Sequence, residues 1–388
     1  FYLLHDGAMT LLAFLAAGIG LAAWPAGVLA RRVTGSALLG LAFAVAWSLN
    51  HFVGSVHLAN HPEALAFPFW FLALWGVEAR RRGVAAAGLV LALAVKEDLA
   101  LQAFLLGVAL VLDKDTRRWG LAIAGGGVAW ALLSGMVASG AGSMAEAGAT
   151  ATSRFTSFGD SPASILAGMA TSPGVVLQRL LSPTLLAVYG SLLFLSLLDC
   201  RRAWLPAVAV APILVCDDAL LRSLAYYYSY PALPFLFWTA MHGARVLREK
   251  WPGRAWIPAA LAGLLVAGAV AQAFLPTRTD GFRRAPFPPE PRAEALRDVI
   301  DFIPPDAAVA AQFDIYPQVP LRPVLVPFRM QFLDRVDMIL LNQRRFPADL
   351  SDKGDEFARC MEEVQSGRWD IVVEQEGFVL LERVGQRG

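Results

Sequence analysis

Long apolar runs alternate with short polar or basic junctions over residues 1–275 of the chain. A helix needs ~20 mostly apolar residues to cross about 30 Å of hydrocarbon. Some uncharged runs have that length, and shorter runs lie between them. We interpret the shorter runs as short, tilted or recessed membrane helices, so the pattern predicts about ten spans in a transmembrane helical domain. The longer runs are Ala8–Ala30, Val33–Val56, Trp119–Ala145, Leu180–Leu198, Ser223–Ala244 and Ala255–Thr277; the shorter runs are Ala64–Val77, Gly83–Val95, Leu99–Leu112 and Ala203–Cys216.

The pattern changes beyond Pro276, where residues 276–290 form a Pro-rich, basic linker. After it, amphipathic helical stretches alternate with short apolar runs that are typical of buried strands. The sequence therefore predicts a small α/β domain at 291–388. Its expected helices are Arg292–Ile303 and Asp355–Gln365, and its expected strands are Ala307–Gln312, Val324–Val326, Asp337–Asn342, Ile371–Glu374 and Phe378–Glu382, with a hairpin turn between the last two.

The composition supports a membrane protein. The 388-residue chain is 56% hydrophobic and 17% charged, whereas an ordinary soluble domain is about a quarter charged. So few charges do not cover a water-facing surface, which excludes an ordinary soluble globular protein. The net charge of +1, without an arginine-rich aromatic stripe, gives no indication of nucleic-acid binding. The three cysteines are far apart and lack metal-binding spacing.

Basic residues fall at every second junction between the apolar runs. Membrane proteins retain lysine and arginine on the cytoplasmic side. All basic junctions agree on one orientation if Lys96-Glu97-Asp98 forms an outer turn. The chain is then a multi-pass protein of the cell (inner) membrane, and its C-terminal domain is extracytoplasmic. The basic junctions are Arg31-Arg32, Arg80-Arg81-Arg82, Lys114/Arg117/Arg118, Arg201-Arg202 and Arg245/Arg248/Lys250/Arg254.

The first candidate site is the turn Lys96-Glu97-Asp98 between two short apolar runs. Ionisable residues at membrane depth are costly unless they face water or a partner. Two short helices recess this turn below the outer interface, where a lipid phosphate fits. Lys96 then contacts the phosphate, and Glu97 or Asp98 orients Lys96 or binds a metal. The alternative is a solvated turn from which Lys96 extends to the interface.

The second candidate site contains His57, Asn60, His61 and Glu63, on an outer junction without lysine or arginine. Imidazole and carboxylate groups bind divalent cations, so Glu63 is a candidate metal ligand, and the histidines are candidates for metal or sugar binding. Pro62 disfavours the helical conformation at His61, which argues against a shared helix face. The alternative is a polar loop in which Pro62 and Glu63 start the next helix.

The third candidate site combines Arg222 with a group of outer-face tyrosines. An arginine there can clamp a phosphate, and tyrosine rings such as that of Tyr226 can stack on a sugar or a prenyl chain. For the tyrosines, the interfacial aromatic belt is the favoured alternative, because it enriches tyrosine at that depth in any case. The tyrosines are Tyr226, Tyr227, Tyr228 and Tyr230.

Several phrases, in this order, resemble a family of predicted polytopic membrane proteins known as domain of unknown function 2079. The resemblance covers nearly the whole chain. That family is in turn similar to the GT-C superfamily of glycosyltransferases, which transfer sugars from polyprenyl-phosphate donors on the outer face of the membrane. The phrases are His61-Pro-Glu-Ala-Leu-Ala-Phe-Pro, Val95-Lys-Glu-Asp-Leu-Ala-Leu, Tyr230-Pro-Ala-Leu-Pro-Phe-Leu-Phe, Ile303-Pro-Pro-Asp-Ala-Ala-Val-Ala-Ala-Gln and Pro317-Gln-Val-Pro-Leu-Arg.

The resemblance implies a mainly α, GT-C-like fold and a catalytic acid in the first outer loop, just after the first span. The chain begins at Phe1 rather than methionine, so we expect it to be a fragment or a processed product. The expected acid then lies upstream of Phe1.

These observations lead to one main functional hypothesis and two alternatives. The main hypothesis is a glycosyltransferase-like protein in the lipid bilayer that takes a polyprenyl-phosphate-linked sugar donor and an extracytoplasmic acceptor, with a divalent metal ion as an optional cofactor. The first alternative is a transporter or lipid flippase, although the charges cluster at the ends of the spans rather than near mid-membrane. The second is a non-catalytic GT-C-like scaffold.

Overall fold

The structure is a computed structural model that describes residues 8–58, 62–140, 152–224, 228–254, 256–274, 291–312, 315–320, 322–343 and 351–385. The chain divides into two compact units, one within Phe14–Arg283 and the other formed mainly by Arg284–Gly388. The first unit is helical and the second contains a small sheet, so the protein is mainly α, as predicted.

The helical unit is built from long and short helices. The helices are α1 (Ala8–Thr34), α2 (Ala37–Leu49), α3 (His51–Leu58), α4 (Phe67–Glu78), α5 (Arg82–Leu93), α6 (Leu99–Val111), α7 (Arg117–Gly140), α8 (Pro162–Thr171), α9 (Pro173–Leu180), α10 (Pro183–Gly190), α11 (Trp204–Val215), α12 (Ala219–Arg222), α13 (Leu233–Lys250) and α14 (Trp256–Phe274). Short 3₁₀ helices occur at Pro62–Ala66, Ser153–Phe155 and Leu195–Leu198.

Among the described residues, three helices are long and apolar enough to cross a membrane, by length and composition. They are the Ala13–Thr34 part of α1, the Arg117–Val137 part of α7, and α14. Large apolar side chains on these helices point outward. Trp24 is 78% exposed, and Met136 and Phe274 are each 72% exposed. Lipid chains suit such surfaces and water does not. Helices α2, α5, α6, α8 and α11 are apolar but shorter, and the total of about ten spans stays a prediction.

Some of the predicted runs are not single helices, among them Ser223–Ala244, whose helix α13 begins at Leu233. The run Val33–Val56 contains two helices, α2 and α3, that meet at Asn50. The side-chain oxygen of Asn50 accepts hydrogen bonds from the backbone N–H groups of Phe52 at 2.9 Å and Val53 at 3.4 Å, and thereby caps the start of α3. Apolarity alone does not reveal this break, because the capping residue is uncharged.

The run Leu180–Leu198 is also not one helix. It contains the end of α9, the short helix α10, and then a turn in which Leu193 and Phe194 both have φ of 57°. The 3₁₀ helix that follows packs against α13, where Ser196 donates a hydrogen bond to the Leu236 carbonyl at 2.9 Å. Residues other than glycine rarely adopt this left-handed conformation, so nothing in the sequence indicates the turn.

Small residues let neighbouring helices approach closely. In the α4–α5 hairpin, a Cβ added to Gly76 would lie 2.5 Å from the backbone nitrogen of Ala85, and one added to Gly88 would lie 2.7 Å from that of Ala73. Tight contact of this kind holds helices together where lipid replaces water. The hairpin fixes the path of the chain, because Glu63 and Lys96 lie at one end of it and Glu78 and Arg82 at the other.

The second unit contains a five-stranded sheet of order β2-β1-β3-β5-β4. Strand β1 is parallel to β2 and β3, and β5 is antiparallel to β3 and β4. One helix covers each face of the sheet, α15 on one and α17 on the other. The elements are α15 (Pro291–Asp301), β1 (Val309–Ala311), β2 (Leu325–Pro327), α16 (Met330–Leu333), β3 (Met338–Asn342), α17 (Ser351–Val364), β4 (Trp369–Gln375) and β5 (Phe378–Arg383).

The predicted helices and strands of this unit are confirmed, with ends shifted by a few residues. The hairpin between β4 and β5 turns at Glu376 and Gly377, whose φ angles are 50° and 83°. Positive φ at both central residues is typical of a type I′ hairpin turn. Strand β1 is short and fully buried, which explains why its run reads as continuously apolar.

Candidate functional site

The turn that follows α5 brings together residues from three separate segments. The ammonium group of Lys96 forms an ion pair with Glu63 of the 3₁₀ helix Pro62–Ala66, and it lies 3.3 Å from Asp98 Oδ2. The hydroxyl of Tyr230, in the turn before α13, donates a hydrogen bond to the same Asp98 oxygen. We call Glu63, Lys96, Asp98 and Tyr230 the Lys96 cluster.

The members of the Lys96 cluster differ in exposure. The side chain of Glu63 is 0% exposed, that of Lys96 is 24% exposed, and that of Asp98 is 44% exposed. Tyr230 is buried, and its ring centroid lies 5.5 Å from the Lys96 nitrogen. Glu63 is therefore the buried member of the cluster, and Asp98 is its most exposed member.

The electrostatics of this turn, which lies between the helices, keep Lys96 charged. Burial by itself would lower the pKa of Lys96, but the hydrogen bond from Lys96 to Glu63 and the nearby charge of Asp98 raise it above its usual value. Two carboxylates face this charge and offset the cost of partly burying it.

The Lys96 cluster takes one part from each of the three predicted candidate sites. Lys96 and Asp98 come from the first site, Glu63 from the second, and Tyr230 from the third. Sequence spacing does not reveal this grouping, because Tyr230 and Asp98 are 132 residues apart. The sequence does give one indication of the grouping. Lys96 is the only lysine of the predicted outer junctions, where cations are few, so it is expected to pair with acidic residues of those junctions.

The other predicted site residues lie outside the Lys96 cluster or outside the described residues. Glu97 is exposed beside Lys96. His61 and Tyr226 lie outside the described residues, as does the side chain of His57, so their predicted roles stay predictions. Among the described residues, no group of three or more His, Cys, Asp or Glu side chains is arranged to hold a metal ion. Glu63 contacts the ammonium of Lys96 instead, and its role as a metal ligand stays a prediction.

Arg222 contacts the main chain at the end of α11. Its guanidinium donates hydrogen bonds to the carbonyl of Cys216 at 2.8 Å and to that of Asp217 at 2.7 Å. A phosphate would have to share the guanidinium with these carbonyls, and the phosphate role of Arg222 stays a prediction.

A second polar group lies beside Arg222. The carboxylate of Asp217 accepts hydrogen bonds from the hydroxyl of Thr156 at 3.1 Å, from both the backbone and the hydroxyl of Ser157, and from Arg179 at 3.0 Å. Burial would raise the pKa of Asp217, but these hydrogen bonds outweigh it and lower the pKa. Asp217 thus attaches the segment that contains α8 and α9 to the end of α11.

The basic junctions meet at the opposite end of the helical unit. Arg80 forms an ion pair of 3.1 Å with Asp115, and Arg248 donates a hydrogen bond to the Thr34 carbonyl. The guanidinium of Arg202 lies 5.3 Å from the ring centroid of Trp238 on α13. The predicted alternation of the junctions is therefore visible as two chemically different ends. Which face of the bilayer each end meets stays a prediction.

The sequence did not predict a buried polar contact at the basic end. Glu78, the last residue of α4, accepts a hydrogen bond from the Trp238 indole at 2.9 Å and lies 2.8 Å from His242 Nε2. This contact ties α4 to α13. The only indication of this contact in the sequence is a single glutamate at the end of an apolar run.

The comparison with known families decides the identity. A family model described as "Predicted membrane protein (DUF2079)" matches residues 1–380. The chain belongs to this family. This DUF2079 member is thus a membrane protein, in agreement with its exposed apolar helices. No curated protein matches the chain.

Three of the phrases that suggested DUF2079 supply the Lys96 cluster. The phrase that starts at His61 contains Glu63, the phrase that starts at Val95 contains Lys96 and Asp98, and the third phrase starts at Tyr230. The residues that carry the resemblance and the residues that meet in the structure therefore coincide in this part of the chain.

Proposed function

We propose that this protein is a glycosyltransferase-like membrane protein of GT-C type that handles a polyprenyl-phosphate-linked sugar at the outer face of the membrane. The observation that supports the proposal is the Lys96 cluster, where an ammonium group, two carboxylates and a phenol meet between short apolar helices. The phosphate of a lipid-linked donor would lie at the level of this turn. Its prenyl chain would contact the apolar surface of the neighbouring helices.

The charge of the cluster determines how a phosphate enters. With both carboxylates ionised, Lys96, Glu63 and Asp98 have a net charge of −1, which does not attract an anion. Glu63 is fully buried, whereas Asp98 is partly exposed and has water to turn into. In this proposal the donor phosphate replaces Asp98 at Lys96, and Glu63 keeps the ammonium in place.

Lys96 then contributes to the chemistry of transfer. A carboxylate base takes the proton of the acceptor hydroxyl as its oxygen attacks the anomeric carbon, the bond between that carbon and the phosphate oxygen breaks, and the phosphate leaves with the electron pair. A fixed cation beside the leaving phosphate stabilises the charge that develops there. The exposed edge of the cluster leaves room for the acceptor.

The binding of a fluorescent polyprenyl phosphate to the full chain in nanodiscs tests the proposal. We expect Lys96→Ala to weaken binding by about tenfold or more, the size of one charge-assisted contact. Asp98→Asn should strengthen binding severalfold, because it removes the competing carboxylate. Arg80→Ala is the matched control, because it removes one positive charge at the opposite end of the helical unit.

The paired variants make the outcome decisive. Unchanged binding in Lys96→Ala, or an equal loss in Arg80→Ala, removes Lys96 from the proposal. Weaker binding in Asp98→Asn shows instead that the carboxylate supports the ligand, and the replacement of Asp98 by phosphate is then wrong.

A transporter or lipid flippase is the second candidate, and the break at Asn50 favours it. The buried amide of Asn50 donates to the Ser191 hydroxyl at 3.1 Å and to the Gln272 side chain at 3.3 Å. Interrupted helices with polar contacts inside a bundle are typical of transporter sites. Uptake of a labelled sugar into proteoliposomes, compared with transfer of that sugar from lipid to acceptor, separates the two functions.

A further inference from the structure

Two adjoining cavities at the basic end have different chemical character. The larger, which we call the basic cleft, has a volume of about 760 Å³ and is lined by four arginines and one glutamate, together with the turn between α1 and α2 and the turn between α13 and α14. Its formal charge is therefore +3. A cleft of this charge between membrane helices suits a phosphate headgroup.

Three of the arginines are available to a ligand. Arg245 pairs with Glu249 one helical turn away at 2.8 Å, and Glu249 is the one carboxylate among the described residues that line the cleft. Arg32, Arg248 and Arg254 form no ion pair with a carboxylate within the described part of the chain. An anion in the cleft would meet three guanidinium groups without displacing any acidic side chain that the structure describes.

The position of Arg248 is fixed by the turn between α1 and α2. Its guanidinium donates to the carbonyl of Thr34 and lies over Gly35, where an added Cβ would stand 2.6 Å from Nη1. Gly35 has φ of +66°, so glycine suits both the turn and the arginine that covers it. This arginine is thus held in place before any ligand arrives, which lowers the entropy cost of binding.

The smaller cavity is an apolar groove that continues from the basic cleft. It has a volume of about 260 Å³, is lined mainly by side chains of α13 and α14 such as Leu247, Leu261 and Leu264, and shares Trp251 and Arg254 with the cleft. Tryptophan commonly lies at the level of lipid headgroups. The basic cleft thus continues past the Trp251 indole into an apolar groove. This order of charged, interfacial and apolar surfaces matches the headgroup and acyl chain of a phospholipid.

We propose that these cavities form a binding site for an anionic phospholipid of the leaflet at the basic end. Arg32, Arg248 and Arg254 hold the phosphate, and an acyl chain lies in the groove between α13 and α14. A free phosphate compound offers the same headgroup chemistry, but it would leave the groove empty. This site is at the opposite end of the helical unit from the Lys96 cluster and does not depend on its function.

Native mass spectrometry of the delipidated full chain, titrated with phosphatidylglycerol and with phosphatidylcholine of equal chain length, tests the site. We expect phosphatidylglycerol to bind more tightly, and the double variant Arg32→Gln/Arg254→Gln to reduce that preference by about tenfold or more. The matched control is Arg117→Gln/Arg118→Gln, which removes two exposed arginines that do not line the cleft. The control should keep the preference.

Two further arms separate the lipid from other ligands. Ala260→Trp fills the groove and should weaken phosphatidylglycerol binding while the binding of glycerol 3-phosphate stays unchanged. If glycerol 3-phosphate binds as tightly as the lipid, the cleft takes a soluble phosphate and the lipid assignment is overturned. An equal loss of preference in both arginine variants also overturns it, because the effect is then one of overall charge.

Discussion

Lys96 is held by two carboxylates of different character, and this asymmetry governs the chemistry of the turn. Glu63 is completely buried, and its ion pair with Lys96 balances its charge. The side chain of Asp98 is partly exposed, and it also accepts a hydrogen bond from the Tyr230 hydroxyl. Glu63 therefore supports the fold, and Asp98 is the carboxylate that the donor phosphate would replace in the proposed function.

Replacing Glu63 should destabilise the protein more than replacing its exposed neighbour. Glu63→Gln leaves the half-buried Lys96 with a weaker partner, and we expect a loss of about 1–3 kcal/mol, below the range for a fully buried pair because Lys96 is partly exposed. Thermal unfolding in detergent, followed by the reactivity of the buried Cys216 thiol in the same unit, measures the loss. Glu97→Gln is the control and should change stability by less than about 0.5 kcal/mol. Equal melting of both variants would contradict the assigned role.

At the scale of elements, the apolar pattern predicts where helices exist better than where they stop. The strands and helices of the second unit were predicted because each has its own local period. The break at Asn50 and the left-handed turn at Leu193 and Phe194 were not, because capping and tertiary packing decide them. The Lys96 turn was predicted as a site, but its partners depend on how α4, α5 and α13 pack.

The segment that contains α8 and α9 should loosen in acid. The native pKa of Asp217 lies below its value in the unfolded chain, so the stabilisation is complete above about pH 4 and is lost as the pH falls through the native pKa. Hydrogen exchange of residues 152–182, corrected for intrinsic rates, should therefore be equal at pH 7 and pH 5 and faster at pH 3. Asp217→Asn should exchange faster at pH 7 and lose this acid dependence. The same pH profile in the variant and the wild type would rule out Asp217 as the cause.

At the scale of the whole molecule, the two ends of the helical unit are chemically different. Arginines converge at one end, and an acid-rich cluster around a single lysine lies at the other. The positive-inside rule predicts that the arginine end faces the cytoplasm. The proposed donor site needs this orientation, because it places Lys96 at the outer face.

Thiol labelling tests the orientation with a natural cysteine. Cys200 is exposed beside Arg201, whereas Cys216 and Cys360 are buried. In intact right-side-out vesicles, a membrane-impermeant maleimide should leave Cys200 unlabelled until the membrane is permeabilised. The matched variant Cys200→Ser/Glu97→Cys should be labelled without permeabilisation. The reverse result would show that the orientation in the membrane is inverted and that the Lys96 cluster lies on the cytoplasmic side.

The α5–α6 hairpin has one more consequence for the lipids around it. Its helices contain 12 and 13 residues, so each is roughly 18–20 Å long, about 10 Å less than the hydrocarbon core. If both helices span the bilayer, this hydrophobic mismatch leaves two outcomes: the bilayer thins beside the hairpin, or the connecting turn lies in a recess that is open to water. Either way, the prenyl-anchored headgroup of the proposed donor would reach Lys96 without being pulled far out of its leaflet.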